Sequence, residues 1–511
     1  MKPEITDALL DLDDETDPVE ELLRQPLWRP EDVGKPIPRS EHAVSVAMPL
    51  WEHVIRYEEG DPELIDSLEG GYPRFVFGPA VSRLFQKCRA QFSSNDELCI
   101  AFPSKKSAAR CSAFLEDTGP FTTRVEPYGM NEIHVVVLPV DAFENAKKYW
   151  QHYGEIVSSR LAQATLEGRS ATYGPTPEKR ILRKRIARLV GDKASNVYLY
   201  PSGMAALSGV LRLLRSRAPA AKTIQIGFPY VDLLKIQQKW GPLGVFYPHV
   251  SNETFEELEW QVTNEPIAGV FVEHPGNPLL QSANLDRLSR LLRVRRVPLV
   301  VDETLASFVN GDFTPFADVI VTSLTKYFSG VGDVMAGSAV LNSASPLFDE
   351  LKKHQRKVYE DRLWGEDAAA LERNSRDFEV RMCRINANAE TVCDYLRTHP
   401  QVQRVYYPKF ETPAEYRQAG RVEGGYGGLF SLLLKNAPDT SARFYAALRV
   451  SKGPSLGTSY TLACPYVILA HYKELDWAES LGVSPYLIRV SVGLEDPADL
   501  IHRFDQAFKA L

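Results

Sequence analysis

The sequence of 511 residues contains little cysteine, and its six cysteines form neither a CxxC pair nor a metal-binding spacing. This pattern excludes a disulfide-rich or zinc-stapled fold and predicts reduced thiols in a cytosol-like compartment. Apolar runs are also short, and none approaches the roughly 20 residues of a membrane-spanning helix. The N-terminus is acidic, unlike a secretory or mitochondrial targeting segment. We therefore expect a cytoplasmic protein with no membrane span.

Positive charge is the scarcer sign, with 59 Lys and Arg against 66 Asp and Glu, for a net charge of −7. This balance argues against nucleic acid as a main partner. The remaining composition, 44% hydrophobic and 24% charged, is that of an ordinary globular protein. A chain of this length predicts two or three domains.

Composition and periodicity divide the chain into four stretches. Residues 1–40 are acidic and interrupted by prolines, which predicts a disordered tail, with a docking motif as the alternative. Residues 41–150 have the pattern of a small α/β extension that contains no catalytic constellation. Residues 151–350 alternate strand and helix patterns, and we expect them to form the cofactor-binding large domain. Residues 351–511 predict long helices followed by a smaller α/β unit.

Seven short apolar runs in the third stretch predict strands, and helical segments lie between several of them. This alternation is typical of a mostly parallel sheet that is covered by helices on both faces. We therefore predict an α/β fold with such a sheet, a smaller C-terminal α/β domain and an N-terminal α/β extension. The predicted strands begin at Asn196, Thr223, Val245, Ile267, Pro298, Asp318 and Ala336.

A lysine follows the strand predicted from Asp318, in the sequence Ser323-Leu-Thr325-Lys326. A strand that ends there presents Lys326 at its carboxyl end, where open α/β sheets bind ligands. The two hydroxyls suit phosphate oxygens, and a partly desolvated lysine suits Schiff-base chemistry. The preceding strand ends in Asp302. These groups are what pyridoxal phosphate (PLP) needs: an imine partner, a phosphate cup and a partner for its pyridinium nitrogen.

Three weaker features could belong to the same site. The helix start Ser202-Gly203-Met204 exposes backbone N–H groups that can bind a phosphate. Tyr230, just past a strand end, could stack on a planar cofactor ring. Asn277, in a proline-rich turn, could bond a substituent of that ring. For each of the last two residues, a turn or packing role is the alternative.

Arg489 stands inside an apolar strand of the C-terminal unit. An unpaired buried charge is costly, so its guanidinium needs an anion. One candidate is a structural Asp or Glu, and the other is the carboxylate of an amino-acid substrate held by the guanidinium fork. Ser455, which lies in Ser-Leu-Gly of the same unit, favours the substrate carboxylate.

Together these motifs resemble the Cys/Met-metabolism family of PLP-dependent enzymes, which has the aspartate-aminotransferase-like (type I) fold. The resemblance covers about residues 155–510, and within the family the chain is most similar to the fungal cystathionine γ-synthases. The motifs that carry it are Ser202-Gly-Met-Ala, Phe228-Pro-Tyr230, Glu273-His-Pro-Gly-Asn277-Pro, Asp302-Glu-Thr, Ser323-Leu-Thr325-Lys326, Ser455 to Tyr466 and Arg489-Val-Ser-Val-Gly-Leu-Glu-Asp.

The resemblance implies a role for each matched residue. Lys326 would hold PLP and remove the α-proton, Tyr230 would stack on the ring and help to move protons, and Asp302 would keep the ring nitrogen protonated. Arg489 and Ser455 would bind the substrate's α-carboxylate. The other implied cofactor contacts are Ser202, Gly203, Met204, Asn277, Ser323, Thr325 and Tyr173.

The resemblance also implies a reaction and an assembly. The reaction is γ-substitution on an O-acyl-L-homoserine, with the O-acetyl ester expected for a fungal-type enzyme and cysteine sulfur as the nucleophile. The assembly is a homotetramer built from dimers that share their active sites. We expect no metal, since the cysteines have no metal-binding spacing.

The chain departs from the family at two places. The loop over 172–176 reads Thr-Tyr-Gly-Pro-Thr and lacks the arginine with which many members reach a neighbouring subunit's phosphate, so only Tyr173 is matched. Residues 458–460 read Thr-Ser-Tyr, where many members have a glutamate near the incoming substrate. The nucleophile therefore stays open, and a carbon, nitrogen or other sulfur nucleophile in a specialised pathway is the alternative to cysteine. A lyase, and a PLP-binding pseudoenzyme whose N-terminal unit mediates interactions, are further alternatives.

Overall fold

The computed structural model describes residues 17–170, 173–239 and 244–511. The N-terminal segment, residues 17–78, begins with a helix because Asp17 caps it by accepting the Val19 N–H. Its two short strands pair antiparallel. The elements of this segment are α1 (Pro18–Arg24), β1 (Pro36–Ile37), β2 (Ser45–Val46), α2 (Trp51–Glu59) and α3 (Pro62–Asp66), with a 3₁₀ turn at Pro30–Asp32.

The disordered tail predicted over residues 1–40 is not found in the described part of that stretch, and residues 1–16 lie outside the described residues. Leu22 and Leu27 are buried, at 1% and 2% exposure, in a cluster with Tyr460. Burial of these apolar side chains against the C-terminal unit offsets the cost of ordering an otherwise acidic segment.

The N-terminal α/β extension is confirmed as a three-stranded antiparallel sheet with order β3-β5-β4. Its central strand, β5, is almost wholly buried, whereas β4 has Pro127 in its middle and lies at the edge, where proline is tolerated. The sequence did not predict β4. The elements are α4 (Pro79–Phe92), β3 (Glu97–Phe102), α5 (Lys105–Thr118), β4 (Arg124–Tyr128), β5 (Ile133–Pro139), a 3₁₀ turn at Val140–Ala142 and α6 (Phe143–Tyr153).

The central sheet has seven strands in the order β6-β12-β11-β10-β9-β7-β8, and only β12 runs against the others. The prediction of a mostly parallel sheet is therefore confirmed. Its elements are α7 (Ser159–Leu166), α8 (Pro177–Val190), a 3₁₀ turn at Ala194–Asn196, β6 (Val197–Tyr200), α9 (Gly203–Arg217), β7 (Lys222–Ile226), α10 (Val231–Lys239), β8 (Val245–Tyr247), α11 (Asn252–Asn264), β9 (Ile267–Glu273), α12 (Leu285–Arg295), β10 (Leu299–Asp302), α13 (Ser307–Asn310), β11 (Val319–Ser323), β12 (Gly337–Leu341) and α14 (Phe348–Val358).

The smaller C-terminal unit contains a five-stranded sheet with order β13-β14-β17-β16-β15. Both strands predicted here are present, as the adjacent pair β14 and β17. The elements are α15 (Gly365–Asn374), α16 (Phe378–Thr398), β13 (Val402–Tyr406), α17 (Pro413–Gln418), β14 (Leu429–Leu434), α18 (Ala437–Ala447), β15 (Ser451–Lys452), β16 (Leu462–Cys464), α19 (Tyr466–His471), a 3₁₀ turn at Tyr472–Glu474, α20 (Leu475–Ser480), β17 (Ile488–Ser491) and α21 (Pro497–Phe508).

In the part of the chain that the structure describes, no helix is both long enough and apolar enough to cross a bilayer. The division of the chain at residues 40, 150 and 350 stays a prediction.

Candidate active site

A cavity of about 1060 Å³ lies at the carboxyl ends of the central strands. Glu273, Asp302 and Ser323 are the last residues of β9, β10 and β11, and all three line it. The position agrees with the general rule for open α/β sheets. The C-terminal unit closes the cavity on one side, and the N-terminal segment closes it on another.

Lys326 extends into this cavity from the loop after β11. Its Nζ lies 3.1 Å from the Oγ of Ser455, which belongs to the C-terminal unit. Burial, helped by the positive charges of Arg489 and Arg74, lowers the pKa of Lys326 to about 7. An amine with this pKa is substantially unprotonated near neutral pH, as nucleophilic and proton-accepting chemistry requires.

Two carboxylates lie side by side at the floor of the cavity. Asp302 and Glu273 are opposite each other on the neighbouring strands β10 and β9. Burial raises the pKa of Asp302, and burial together with the nearby Asp302 raises the pKa of Glu273. Thr304 orients Asp302, because its N–H and its hydroxyl both donate to Asp302 Oδ1, at 3.0 and 2.6 Å. Such a pair favours a ligand that presents a cationic or proton-bearing atom to the carboxylates.

The start of α9 forms a second wall. Ser202 caps this helix, since its Oγ accepts the Ala205 N–H at 3.0 Å, and its hydroxyl donates to the carbonyl of Gly154 at 2.8 Å. Gly203 leaves room for Ser323, because a Cβ on Gly203 would lie 2.7 Å from the Ser323 Oγ. Gly203 and Met204, the first two residues of α9, line the cavity, so an anion bound there would meet the N-terminus of this helix.

The hydroxyl of Thr325 has partners within the chain. It donates to the carbonyl of Ala336 at 3.2 Å and accepts the Ala336 N–H at 3.0 Å. Thr325 therefore fastens the loop that carries Lys326. Its direct contact with the phosphate, like that of Ser202, stays a prediction.

Asn277 is buried at the cavity wall, with 4% exposure. Its Nδ2 donates to the Tyr466 hydroxyl at 2.8 Å, whereas its Oδ1 is buried without a hydrogen-bond partner. The two orientations of the amide exchange these roles. In either orientation, Asn277 has one polar atom left for a ligand, and this favours the binding role over the packing alternative.

Arg489 lies on β17, on the C-terminal side of the cavity, with 4% exposure. Its Nη2 donates to the carbonyls of Pro454 and Ser455 at 2.7 and 3.3 Å, and its guanidinium lies 4.3 Å from the Tyr466 ring centre. Among the described residues, no carboxylate forms an ion pair with this arginine. This favours a substrate carboxylate as its anion over a structural one.

Tyr173 does not line the cavity of its own chain, among the residues described there. Its ring packs edge-on against Trp364, at 5.2 Å between centres, and the Arg362 guanidinium lies 5.0 Å above it. The cofactor role that the resemblance gave to Tyr173 stays a prediction, since it concerns a neighbouring subunit.

Arg74 and Tyr466 are cavity residues that the sequence did not reveal. Arg74 comes from the N-terminal segment, where no motif or periodicity marks it, and its guanidinium bonds the hydroxyl of Tyr230. Tyr466 belongs to α19 and contacts both Asn277 and Arg489. For Tyr466, the only available signal was its place at the end of the stretch that begins at Ser455.

Comparisons with known families decide the assignment. Residues 143–509 match the family described as "Cys/Met metabolism PLP-dependent enzyme". The chain belongs to this family. Residues 80–158 also match "Fungal trans-sulfuration enzyme, N-terminal domain". The cofactor is therefore pyridoxal phosphate, and the chain belongs with the cystathionine γ-synthase-like enzymes.

The relatives support the same family. The cystathionine γ-synthase-like enzyme iboG2 of Amanita muscaria is 35% identical, and the match covers 94% of this chain and 96% of iboG2. The cystathionine γ-synthase of Neurospora crassa is 34% identical, with 94% and 98% covered. Among solved structures, metB from Corynebacterium glutamicum aligns with a TM-score of 0.58 at 25% identity, covering 68% of this chain and 88% of that one. This agreement confirms the type I fold.

The residues present fit PLP. The N-terminus of α9 suits a phosphate, and Lys326 has an amine of lowered pKa. The unpartnered polar atom of Asn277 could bond a ring substituent. Asp302, which lines the same cavity, would be the partner of a protonated ring nitrogen. When bound, PLP supplies an electron sink for carbanions formed next to the amino group of a substrate.

Proposed function

We propose that the enzyme catalyses γ-substitution on an O-acyl-L-homoserine, with the O-acetyl ester as the expected substrate and cysteine sulfur as the nucleophile. The observation that carries this proposal is the arrangement of Lys326, Ser455 and Arg489. The lysine amine faces the residues that suit an amino-acid carboxylate, and no described carboxylate neutralises Arg489. Similarity to fungal cystathionine γ-synthases supports the choice of substrate.

Each residue has a task in this scheme. Arg489, with Ser455, binds the α-carboxylate and so fixes the α-carbon near the Lys326 amine. Lys326 accepts the α-proton when it is unprotonated. Asp302 keeps a proton on the cofactor's ring nitrogen by charge pairing. Tyr230 lies at the cavity wall, where a hydroxyl can pass protons to or from the substrate side chain.

The charge of Arg489 links binding to proton transfer. Burial, and after it the charges of Arg489 and Arg74, lower the pKa of Lys326 to about 7, so the amine is largely unprotonated above that pH in the free site. A bound carboxylate offsets the charge of Arg489 and raises the affinity of Lys326 for a proton. Binding the substrate thus makes the amine a stronger base at the step that needs one. Activity should fall as the pH drops below the pKa of Lys326.

A different nucleophile is the second candidate. The Thr458 hydroxyl donates to the carbonyl of Tyr460 at 2.6 Å, and the Tyr460 hydroxyl donates to that of Val331 at 3.2 Å. These side chains, which replace the family's glutamate, are thus turned to backbone partners and do not appear in the described cavity wall. The part of the site that would receive the nucleophile therefore lacks that acidic group, and this favours testing carbon acids such as β-keto acids beside cysteine.

The test uses purified enzyme with PLP, supplied with O-acetyl-L-homoserine, with and without L-cysteine, and products identified by mass. Cystathionine as the product supports the sulfur nucleophile. Consumption of the ester with a different adduct when a carbon acid is added supports the second candidate. Release of a keto acid and ammonia without an acceptor points to a lyase. Bound PLP without turnover of any ester supports the pseudoenzyme alternative.

We also propose a homo-oligomer that shares its active sites, located in the cytoplasm. The position of Tyr173, away from the cavity of its own chain and packed on Trp364, supports a role across a subunit interface. Light scattering on the purified protein tests the assembly. A monomeric enzyme with full activity would contradict it.

A further inference from the structure

A tight turn of the N-terminal segment reaches into the cavity; we name residues 71–78 the arginine turn. Its tip closes on itself, because the N–H groups of Phe75 and Val76 donate to the carbonyl of Tyr72 at 2.6 and 2.8 Å. Its two ends touch through glycines, since a Cβ on Gly71 would lie 2.9 Å from the Cα of Gly78. The turn therefore presents its central residues in a defined position.

Arg74 stands at the centre of the arginine turn, with 10% of its side chain exposed. Its Nη1 donates to the carbonyl of Gln151 at 2.7 Å and pairs with Asp232, which is fully buried. Asp232 also binds His152, at 2.7 Å from its Nδ1. This clamp fixes the guanidinium and already balances its charge, so Arg74 is poorly suited to act as a receptor for a substrate anion.

The other nitrogen of the guanidinium, Nη2, bonds the hydroxyl of Tyr230. A guanidinium has only donors, so the Tyr230 oxygen must be the acceptor in this bond. The phenolic proton therefore cannot point at Arg74, and it is left to point elsewhere. Because Tyr230 lines the cavity, that direction includes the space where the substrate side chain reacts.

We propose that Arg74 is a positioning residue for the Tyr230 hydroxyl, and that the arginine turn thereby completes the active site of its own chain. No motif or comparison assigns a role to this segment, which precedes both matched regions. The proposal requires that the cavity is the PLP site, and it uses the proposed γ-substitution only as an assay. A wild-type enzyme that fails the assay counts against the proposed function, whereas a difference between variants tests Arg74.

Electrostatics points the same way. Burial raises the pKa of Tyr230, Arg74 lowers it, and the other groups that act on it are Asp232, Tyr72 and Tyr466. Burial is the largest cause of the lowered pKa of Lys326; Arg489 and then Arg74 lower it further, and Cys464 acts against them. Removal of the Arg74 charge should therefore raise the pKa of both proton-transfer groups and move the acid limb of the pH–rate profile to higher pH.

The experiment is a double-mutant comparison on PLP-loaded enzyme with the substrates of the working assay. The variants are Arg74→Gln and Arg74→Lys, each alone and combined with Tyr230→Phe. We expect Arg74→Gln to lower kcat about 10- to 100-fold, the effect of losing a hydrogen bond from a charged group. In the Tyr230→Phe background, at a pH above the acid limb of both profiles, the same change should cost less than about twofold, because the bond it removes is already absent. An equal loss in both backgrounds would overturn the proposal.

Arg74→Lys separates positioning from the ion pair with Asp232. A lysine keeps the charge but has one nitrogen in place of the planar guanidinium, so it cannot bond Asp232, Gln151 and Tyr230 in the same geometry. We expect this variant to keep the melting temperature of the wild type. Its kcat should fall nearly as far as that of Arg74→Gln. The pH–rate profile of Arg74→Lys should stay in place, because lysine keeps the charge. A wild-type kcat in this variant would overturn the proposal. If Arg74→Gln does not fold, Arg74→Lys supplies the same comparison with Tyr230→Phe.

A second readout does not depend on turnover. The absorption band of bound PLP at about 420 nm reports its attachment to the lysine, and its pH titration reports the charge nearby. The midpoint should rise in Arg74→Gln and stay in place in Arg124→Gln. Arg124 is a matched control, because it lies on the edge strand β4 of the extension, 44% exposed and paired with Glu97. Equal midpoints in the wild type and Arg74→Gln would contradict the proposal.

Discussion

Two lysines of this chain have the same lowered pKa in different surroundings. Burial lowers the pKa of both Lys326 and Lys452 to about 7. Lys326 faces a cavity whose lining includes two arginines and the carboxylates of Asp302 and Glu273, and its amine donates to a serine hydroxyl. The Lys452 amine donates to the carbonyls of Pro49 and Ala446 at 3.1 and 3.0 Å, and the rings of Tyr445 and Trp28 lie within 5.9 Å.

A lowered lysine pKa therefore indicates burial, whereas a cavity beside the amine and the groups that line it indicate function. Lys452 fastens the N-terminal segment, since two of its contacts, Pro49 and Trp28, belong to that segment. Among the residues that the structure describes, the side-chain hydrogen bond of Lys326 goes to Ser455, and the cavity lies beyond its amine.

The largest expected effect is the loss of Lys326. Lys326→Ala removes both the cofactor's anchor and the proton acceptor, so kcat should fall by more than about 1000-fold. The measurement is turnover of O-acetyl-L-homoserine by purified variant with added PLP. Lys452→Met is the matched control and should keep at least half of the wild-type rate. Near-wild-type turnover by Lys326→Ala would remove the basis of the site assignment.

Arg489→Lys should have the next largest effect. Lysine keeps the charge but cannot form the bidentate hydrogen bonds of a guanidinium with a carboxylate, and it loses the contact with the Tyr466 ring. The value of kcat/KM should therefore fall about 10- to 100-fold. The measurement is steady-state kinetics over a range of ester concentrations, with cofactor absorbance as the check on folding. An unchanged kcat/KM would favour the structural alternative for this arginine.

Lys452→Met should alter stability in a pH-dependent way. The pKa of Lys452 lies near 7 in the folded chain, against 10.5 for the unfolded side chain, so the folded state binds fewer protons between these values. The unfolding free energy of the wild type should therefore gain a rising contribution from pH 7 to 10.5, and Lys452→Met should lose that contribution. Urea denaturation at pH 7 and at pH 9 measures it. Parallel pH dependence in both proteins would show that the amine is not buried.

Leu22→Ala should have the smallest effect. Leu22 is 1% exposed beneath the C-terminal unit, and its truncation should cost about 2 kcal/mol of unfolding free energy. Val380→Ala, at 75% exposure, is the control and should cost little. Equal stabilities for the two variants, measured by urea denaturation, would indicate that residues 17–40 are solvated after all.

The sequence predicted the strands of the central sheet and the residues at their ends because both signals are local. An apolar run that ends in Asp302, or in Ser-Leu-Thr-Lys326, carries its chemistry within a few residues, and the topology of parallel sheets then brings those ends together. The resemblance to the family supplied the roles.

The N-terminal segment could not be predicted in the same way, because its partners are far away along the chain. Leu27 bonds Ser451, which is 424 positions distant, and Arg74 bonds Tyr230, which is 156 positions distant. The acidic composition of residues 1–40 concealed the few apolar side chains that bind it to the C-terminal unit. No rule of periodicity or motif marks an isolated arginine in a short turn as part of a site.

The most direct test of the central claim is to identify the lysine that carries the cofactor. Reduction of the PLP-loaded protein with borohydride fixes the cofactor on that lysine, and mass spectrometry of the peptides locates it. We predict attachment to Lys326. Attachment to Lys452 or to any other lysine, or no attachment at all, would contradict the account of this site.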